Sequence, residues 1–384
     1  MIKRLKITNF KCFAKPVSVG MSQFTVFYGK NGRGKSSVIQ SLLLLSQSLR
    51  ENGNVLNSLL FNGQMTKLGS WQETKNRYCP KQTPIEFIIE TDEEKPLLLK
   101  YVESPEKPTI AKLDDIWVGE DHYMNDVSAG ESSGLPEEQL SSSVSLPTTI
   151  PQSGIKTYDL LLGLSYVSAN RRGPENYETR NDSIDPQEPD SRGEKIINLL
   201  SVSSDIFRKR FAQELSLILS GASVRVYSNP DTPDRIDLFL DSVDNNEEGF
   251  RPSNVGFGYS YVLPIVYKVL SSTNDGVIII ENPEAHLYPG AQSRLVDFLV
   301  KYAVKKHLQI VLETHSDHII NGLRLAIKNA QLKPGEVSVL FFDREEDDYG
   351  NPNIKTINID SRGALSEQPT DFMDEWTRQM LELL

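Results

Sequence analysis

Eight consecutive residues, Gly29-Lys30-Asn31-Gly32-Arg33-Gly34-Lys35-Ser36, spell the pattern G-x-x-x-x-G-K-S. Glycines at this spacing let successive backbone N–H groups turn around an anion, and a helix that follows presents its positive end to the same anion. Lys35 is then expected to reach the β- and γ-phosphates of a nucleoside triphosphate. The Ser36 hydroxyl is expected to bind Mg²⁺, which favours oxygen ligands and usually keeps several waters. Lys30, Asn31, Gly32, Gly34 and Ser37 complete the expected phosphate-binding set.

Two further groups follow in the sequence. Val277-Ile278-Ile279-Ile280-Glu281 reads as a buried parallel strand ending in a carboxylate, with Asn282-Pro283-Glu284-Ala285-His286-Leu287-Tyr288-Pro289 directly after it. In open α/β sheets ligands gather at the carboxyl ends of strands, so both carboxylates are expected near the phosphates held by Lys35. Glu281 is the expected Mg²⁺ partner, and Glu284 the group that polarises the attacking water. The alternative is a helix N-terminus carrying acidic residues for its dipole. Leu308-Gln309-Ile310-Val311-Leu312-Glu313-Thr314-His315 is another buried strand, ending in a histidine that can face the γ-phosphate or the lytic water. A lone histidine after a strand is more often structural, and the order of the three motifs is what favours the chemical reading.

The elements that must position these groups are legible around them. Phe24, Val26 and Phe27 form a strand before the glycine-rich loop, and Ser37 to Leu45 form an apolar helical run after it, the context the loop requires and a chance turn lacks. The alternating segment Met1 to Ile7 reads as a strand and lacks a signal peptide's apolar core. Residues 1–102 are read as a nucleotide-binding lobe and 103–192 as a polar insertion with a connecting strand and loops. A helical segment with short strands is expected over 193–250, a second nucleotide-handling lobe over 251–345, and a strand and amphipathic helix over 346–384. Arg171 and Arg172 are either solvated loop charges or phosphate-facing groups.

Composition narrows the function classes. The chain has 384 residues, enough for one large or two ordinary domains, and a net charge of -11 that argues against indiscriminate coating of nucleic acid, though a local basic groove stays compatible with it. Its two cysteines, Cys12 and Cys79, have no metal-ligand spacing and form no disulfide framework, as expected of a cytoplasmic protein. No apolar run approaches a membrane span.

The order of motifs resembles the ABC-type ATPase heads of the RecF, SMC and OLD group. The opening Ile7-Thr8-Asn9-Phe10-Lys11-Cys12-Phe13 is similar to that group's N-terminal strand and turn, Phe61-Asn62-Gly63-Gln64 sits where these heads place a Q-loop, and Val255-Gly256-Phe257-Gly258-Tyr259-Ser260 takes the place of the ABC signature. The resemblance implies an α/β P-loop NTPase head with two lobes, a mixed β-sheet flanked by helices and a short helical and polar insertion. It implies ATP with Mg²⁺, Gln64 as a contact to the metal or lytic water, and Lys11, Gly256, Gly258 and Ser260 in the nucleotide-binding set. The signature segment would bind the γ-phosphate of an opposite subunit in a head-to-tail homodimer or higher oligomer. Within the group, Glu-Asn-Pro-Glu-Ala-His-Leu-x-Pro and Glu-Thr-His-Ser-Asp-His look like a bacterial subfamily with members in anti-phage defence systems, apart from Tyr288 where histidine is usual.

Departures from the pattern bear on mechanism. Asn282 stands where most ABC heads carry the catalytic glutamate, and an amide cannot accept a proton, so slow hydrolysis is expected. Either Glu284 takes the role, or ATP acts mainly as a dimerising switch. Gly256 replaces the usual signature serine, leaving backbone N–H groups and Ser253 or Ser260 for the contact across the dimer. An OLD nuclease domain is not recognisable after the ATPase motifs, so a separate effector, a nuclease or toxin, is the expected partner, with DNA the alternative.

Overall fold

Strand and helix choice follows the apolar spacing along the chain. In order, the elements are β1 (Ile2–Thr8), β2 (Val17–Gly20), β3 (Phe24–Gly29), α1 (Lys35–Glu51), β4 (Ser58–Leu60), α2 (Trp71–Thr74), β5 (Ile85–Thr91), β6 (Leu97–Glu103), β7 (Ile110–Val118) and β8 (Asp121–Met124). There follow α3 (Ile155–Leu162), β9 (Ser165–Val167), β10 (Tyr177–Thr179), α4 (Ile196–Val202), α5 (Asp205–Leu219), β11 (Ser223–Ser228) and β12 (Arg235–Asp241). The chain closes with α6 (Phe257–Ser271), β13 (Val277–Glu281), α7 (Pro289–Lys306), β14 (Gln309–Glu313), α8 (Asp317–Lys328), β15 (Val337–Asp343), β16 (Asn353–Asn358) and α9 (Glu375–Leu383). This computed structural model describes residues 1–92, 95–124, 155–185, 190–241, 249–343, 351–370, 372–373 and 375–383.

Among the described residues three sheets form. One is antiparallel and seven-stranded, in the order β2-β1-β5-β6-β7-β4 with β8 on β7, and β10-β12-β11 form a small antiparallel sheet. The third runs β16-β15-β3-β14-β13-β9, parallel throughout except for the β16 edge. Helices cover both of its faces, so its strands are apolar on both sides and read as continuous runs. Ile278, Ile280, Ile310 and Leu312 enter one core with α6, α7 and α8, while Val277, Ile279 and Val311 enter the other with α1 and the seven-stranded sheet. Lying between the two sheets, α1 buries Leu42, Leu43, Leu44 and Leu45 in succession, which an amphipathic surface helix would not do.

The sequence boundaries shift in three places. Strand β3 lies inside the parallel sheet between β14 and β15, so residues 1–102 are no self-contained lobe. Strands β7 and β8, expected within a polar insertion, extend the first sheet, because Ala111 and Val118 are buried beneath it. The Ser-rich stretch 128–134 lies outside the described residues. The helical segment from 193 is broken at Ser203, and the Ser204 hydroxyl caps α5 by accepting from Phe207 N at 3.2 Å.

Candidate functional site

Strand β3 delivers the glycine-rich loop to the carboxyl edge of the parallel sheet. Gly29 faces Phe342 across the β3–β15 pair, with φ +124°, and a Cβ there would lie 2.4 Å from the Phe342 carbonyl oxygen. Gly34, φ +95°, is overlaid by Cys12 Sγ at 2.9 Å and the Phe13 ring at 3.2 Å from the place of a Cβ. The N-terminal turn thus clamps the loop where α1 begins. Lys35 is buried, and its ammonium donates to the carbonyls of Gly29 and Lys30, each at 2.8 Å. Burial lowers its pKa, an effect that Glu313 opposes. Lys30, Asn31, Gly32 and Ser36 are exposed or half-buried around the loop, and Lys30 lies 3.9 Å from Asp343.

Register brings the carboxylates together. The parallel β13–β14 pair sets Glu281 opposite Glu313, and the β14–β3 pair sets Glu313 opposite Phe27, two residues before the loop. Glu313, 8% exposed, accepts the Ser36 hydroxyl on both oxygens, at 3.2 and 3.1 Å. Burial and then the neighbouring Glu281 push its carboxyl up to about 7, with Lys35 opposing. Glu281 accepts from Tyr166 Oη at 2.9 Å and Ala169 N at 3.0 Å. Burial and the Glu281 charge raise the Tyr166 phenol, keeping it a donor. Glu284 accepts from Thr314 Oγ1 at 2.8 Å and from His315 N at 2.9 Å. Desolvation and Lys35 lower the His315 pKa, with Glu284 opposing, so the neutral ring is favoured.

Arg171 answers to neither sequence expectation. It is 2% exposed and donates to the carbonyls of Ser168 at 3.0 Å, Glu281 at 2.8 Å and Asn282 at 2.6 Å, while its guanidinium lies over the Tyr261 ring of α6 at 5.3 Å. Arg172 stays exposed, 3.5 Å from Glu194. Asn282 takes a left-handed φ of 44° and its N–H donates to the Glu313 carbonyl at 2.7 Å, so the turn after β13 is tied back to β14. His286 of the same turn packs on Tyr261 and Phe257, with ring centroids 4.4 and 5.6 Å apart.

The segment 255–260 opens α6. Gly256 is its N-cap, Phe257 is 67% exposed, and a Cβ on Gly258 would stand 2.7 Å from the His286 carbonyl. Ser260 is 6% exposed and sits under Gly173, which removes it from the surface where a contact to another subunit would form. The exposed serine hydroxyl nearby is that of Ser253, two residues before the segment.

Comparison with known proteins gives the chemistry its family. The sequence model of the AAA ATPase domain family (AAA_15) matches residues 1–162 and 171–320. The chain belongs to that family. A second model, described as a protein of unknown function (DUF3696), matches residues 332–383 of this ATPase. No curated protein matches it. Among solved structures the ATPase is similar to an SMC head bound to the C-winged helix domain of ScpA, with TM-score 0.55 and 14% identity over 93% of this chain and 97% of that one. It also matches an SMC head with an extended coiled coil from Pyrococcus furiosus, TM-score 0.49 and 11% identity over 100% and 99%, and the SMC head of Thermotoga maritima, TM-score 0.46 and 12% identity over 94% and 99%. The fold is that of an α/β ABC-type ATPase head.

Not every residue expected at the ATPase site reaches it. Gln64 belongs to a loop that packs on the later turns of α1: a Cβ on Gly63 would meet Glu51 and Gln47, and Gln47 holds Thr66 N at 2.9 Å. At 1.5 Å per residue, Gln47 lies roughly 16 Å along the helix from Ser36, so Gln64 is not brought to the Ser36 hydroxyl. The segment that does reach the N-terminal turn is 74–76, through Lys11 N to Thr74 O at 2.7 Å and Asn76 Nδ2 to Lys11 O at 2.6 Å. Lys11 itself turns its ammonium to Gln40 of α1. Ser37 lies beneath Cys12, Sγ to Oγ 3.6 Å. Glu313 is the site residue that motif reading gave no role, and Arg171 the one it offered only as a loop charge or a phosphate contact; the one signal for Glu313 was a carboxylate closing the apolar run Ile310 to Leu312.

Proposed function

We propose that this ATPase works as a nucleotide-driven switch: it binds ATP with Mg²⁺, dimerises head to tail on ATP, and in the dimeric state holds or releases a separate effector protein. The observation that carries this reading is the open N-terminus of α6. Its N-cap is Gly256, no side chain caps it, and Phe257 beside it is exposed, while the partners of the segment in its own chain are His286 and Leu287 rather than the glycine-rich loop. A helix start of this kind suits the phosphate of a second copy. With Asn282 in place of a glutamate, turnover is slow enough for the ATP-bound dimer to persist. An effector is part of the proposal because a head of similar fold was solved with a domain of another protein, ScpA, bound to it. The wider setting, a cytoplasmic anti-phage defence module with a nuclease or toxin as effector, rests on the Glu281-to-Pro289 and Glu313-to-His318 motifs.

One feature supports a second reading, RecF-like clamping of DNA. A cavity of about 540 Å³ between α5 and the three-stranded sheet is lined by Arg208, Lys209 and Arg225 together with Tyr227 and Phe239. Cationic and aromatic side chains along one groove suit a nucleic-acid strand.

The test is a tagged purification from the native host with ATP and Mg²⁺, followed by stoichiometry and by molar mass with and without ATP. An ATP-dependent dimer carrying one protein at fixed stoichiometry supports the switch. A monomer under all nucleotide conditions overturns it, and bound DNA without a protein partner moves the assignment to the clamp.

A further inference from the structure

We propose that Glu313, on the strand between the glycine-rich loop strand and the strand ending in Glu281, supplies the protein carboxylate of the divalent-cation site, sharing the ion with Ser36. The inference rests on the ATP-binding reading above and adds the residue that completes its metal shell.

Geometry separates the three carboxylates at this edge. Glu281 is engaged by a phenol and a main-chain N–H, and Glu284 by a hydroxyl and a main-chain N–H. Among the described residues the only hydrogen-bond donor to the Glu313 carboxylate is Ser36, the hydroxyl to which the phosphate-loop pattern assigns the metal. A magnesium ion entering between the phosphates and α1 would meet the Ser36 and Glu313 oxygens as a pair already within 3.2 Å of each other, whereas Glu281, held through its Oε2 by Tyr166 and Ala169, makes no hydrogen bond to Ser36 among the described residues.

The donor set fits the ion. Both groups are hard oxygen ligands, and Mg²⁺ is commonly held by one or two protein oxygens with phosphate and water completing its octahedron. Two protein oxygens leave most of an octahedron open, so phosphate oxygens of a bound nucleotide and water would supply the remaining ligands. Charge points the same way. Three carboxylates converge on this edge with one buried ammonium, Lys35, among them, and a divalent cation offsets the surplus. Ser36 then exchanges its hydrogen bond to Glu313 for joint coordination, with Glu313 held in place from β14.

The test uses the full chain and manganese as a paramagnetic probe. Mn²⁺ affinity is measured by electron paramagnetic resonance with a non-hydrolysable ATP analogue, and analogue affinity is measured separately in EDTA. Glu313→Gln is expected to weaken Mn²⁺ by at least about tenfold while analogue affinity in EDTA stays within about twofold. Glu313→Asp, which keeps the charge on a shorter stem, is expected to fall between the two. Wild-type Mn²⁺ affinity in Glu313→Gln, or the loss appearing in Glu281→Gln instead, overturns the proposal. So does a Glu313→Gln protein whose analogue affinity in EDTA falls as far as its Mn²⁺ affinity, since that marks a general loss of the site and not a lost metal ligand. A wild-type protein that binds no analogue with or without metal overturns the nucleotide reading itself, an outcome distinct from either.

Discussion

The Arg171 guanidinium donates to the main-chain carbonyl of Asn282 at 2.6 Å and so holds the turn in which the motif carboxylates sit. The same group holds Glu281 O and Ser168 O and rests against Tyr261, joining β9, β13 and α6. Removing it leaves three partly buried carbonyls short of a donor, at about 1–3 kcal/mol each where water cannot replace it. Arg171→Ala is therefore expected to lower stability by about 3 kcal/mol or more and to slow ATP turnover on the order of a hundred-fold through misplacement of the turn. Arg171→Lys, which supplies one point donor for three acceptors, is expected to lie nearer to alanine than to wild type. Thermal unfolding and steady-state turnover check both; a lysine variant with wild-type turnover excludes the positioning role.

Contact between the start of α6 and the turn after β13 has its own test. In Gly258→Ala the new Cβ would stand 2.7 Å from the His286 carbonyl oxygen, and main chain on both sides leaves little room to yield. A cost of about 1–3 kcal/mol is expected from such overpacking. Gly256→Ala, two residues earlier, has φ −63° and nothing within 4 Å of the added carbon, so its stability should stay within about 0.5 kcal/mol of wild type. Equal unfolding midpoints for the two variants would show that α6 does not press on the turn.

Motif spacing revealed the parallel core because its strands are covered on both faces. A run such as Val277 to Ile280 suits a strand covered on both faces, and the motif-bearing ends of β3, β13 and β14 follow from it. What spacing did not reveal depends on pairings distant in sequence. Arg171 meets Glu281 across 110 positions through the β9–β13 pair, and Ser36 meets Glu313 across 277 because β14 inserts between β3 and β13. Neither insertion leaves a local trace. Gln64 marks the opposite failure, a residue placed by motif order alone whose loop packs on the distal turns of α1. The break between α4 and α5 was written locally in Ser203-Ser204, since a serine at N-cap competes well with helix continuation.

A pH-dependent contribution to stability is expected at Asp237. Burial raises its carboxyl, but hydrogen bonds and charge from Arg235 and Arg251 outweigh that and hold it below its ordinary value. Arg251 immediately precedes the short 3₁₀ turn Pro252–Asn254 that leads into α6, so the pair anchors β12 to that segment. A depressed folded-state pKa gives stability that is present above the unfolded value of about 3.9 and is lost as pH falls through the folded one. The difference in unfolding free energy between wild type and Asp237→Asn should therefore be constant from neutral pH down to about pH 5 and shrink below about pH 4. A difference that persists undiminished at pH 3 would place its origin outside this carboxylate.

Lys35→Ala removes the one buried ammonium of the phosphate loop. Charge-assisted hydrogen bonds contribute about 1.5–3 kcal/mol each, so ATP affinity should fall at least tenfold, and ATP-driven dimerisation should go with it. Calorimetry and molar mass measured on the same samples check the two together. ATP binding at wild-type affinity would contradict the assignment of the loop.

Glu284 is the remaining candidate for the proton-accepting role that Asn282 cannot fill. Its two oxygens are held by Thr314 Oγ1 and by the main chain of His315, which orient the carboxylate without neutralising it. Glutamine at 284 keeps one acceptor oxygen but turns an NH₂ group toward the other donor, so charge and half of the orientation are lost together. Turnover is expected to fall by roughly 10²–10⁴ if the carboxylate takes the proton of the attacking water, with ATP affinity retained. Thr314→Val separates the two effects, because it removes one orienting donor and leaves the charge. It should lower turnover by less than Glu284→Gln, and single-turnover hydrolysis measured at saturating ATP and Mg²⁺ makes the comparison free of differences in affinity. Unchanged hydrolysis in Glu284→Gln would remove this residue from the reaction. An effect of Thr314→Val as large as that of Glu284→Gln would assign Glu284 to orientation of the β14 edge and not to proton transfer.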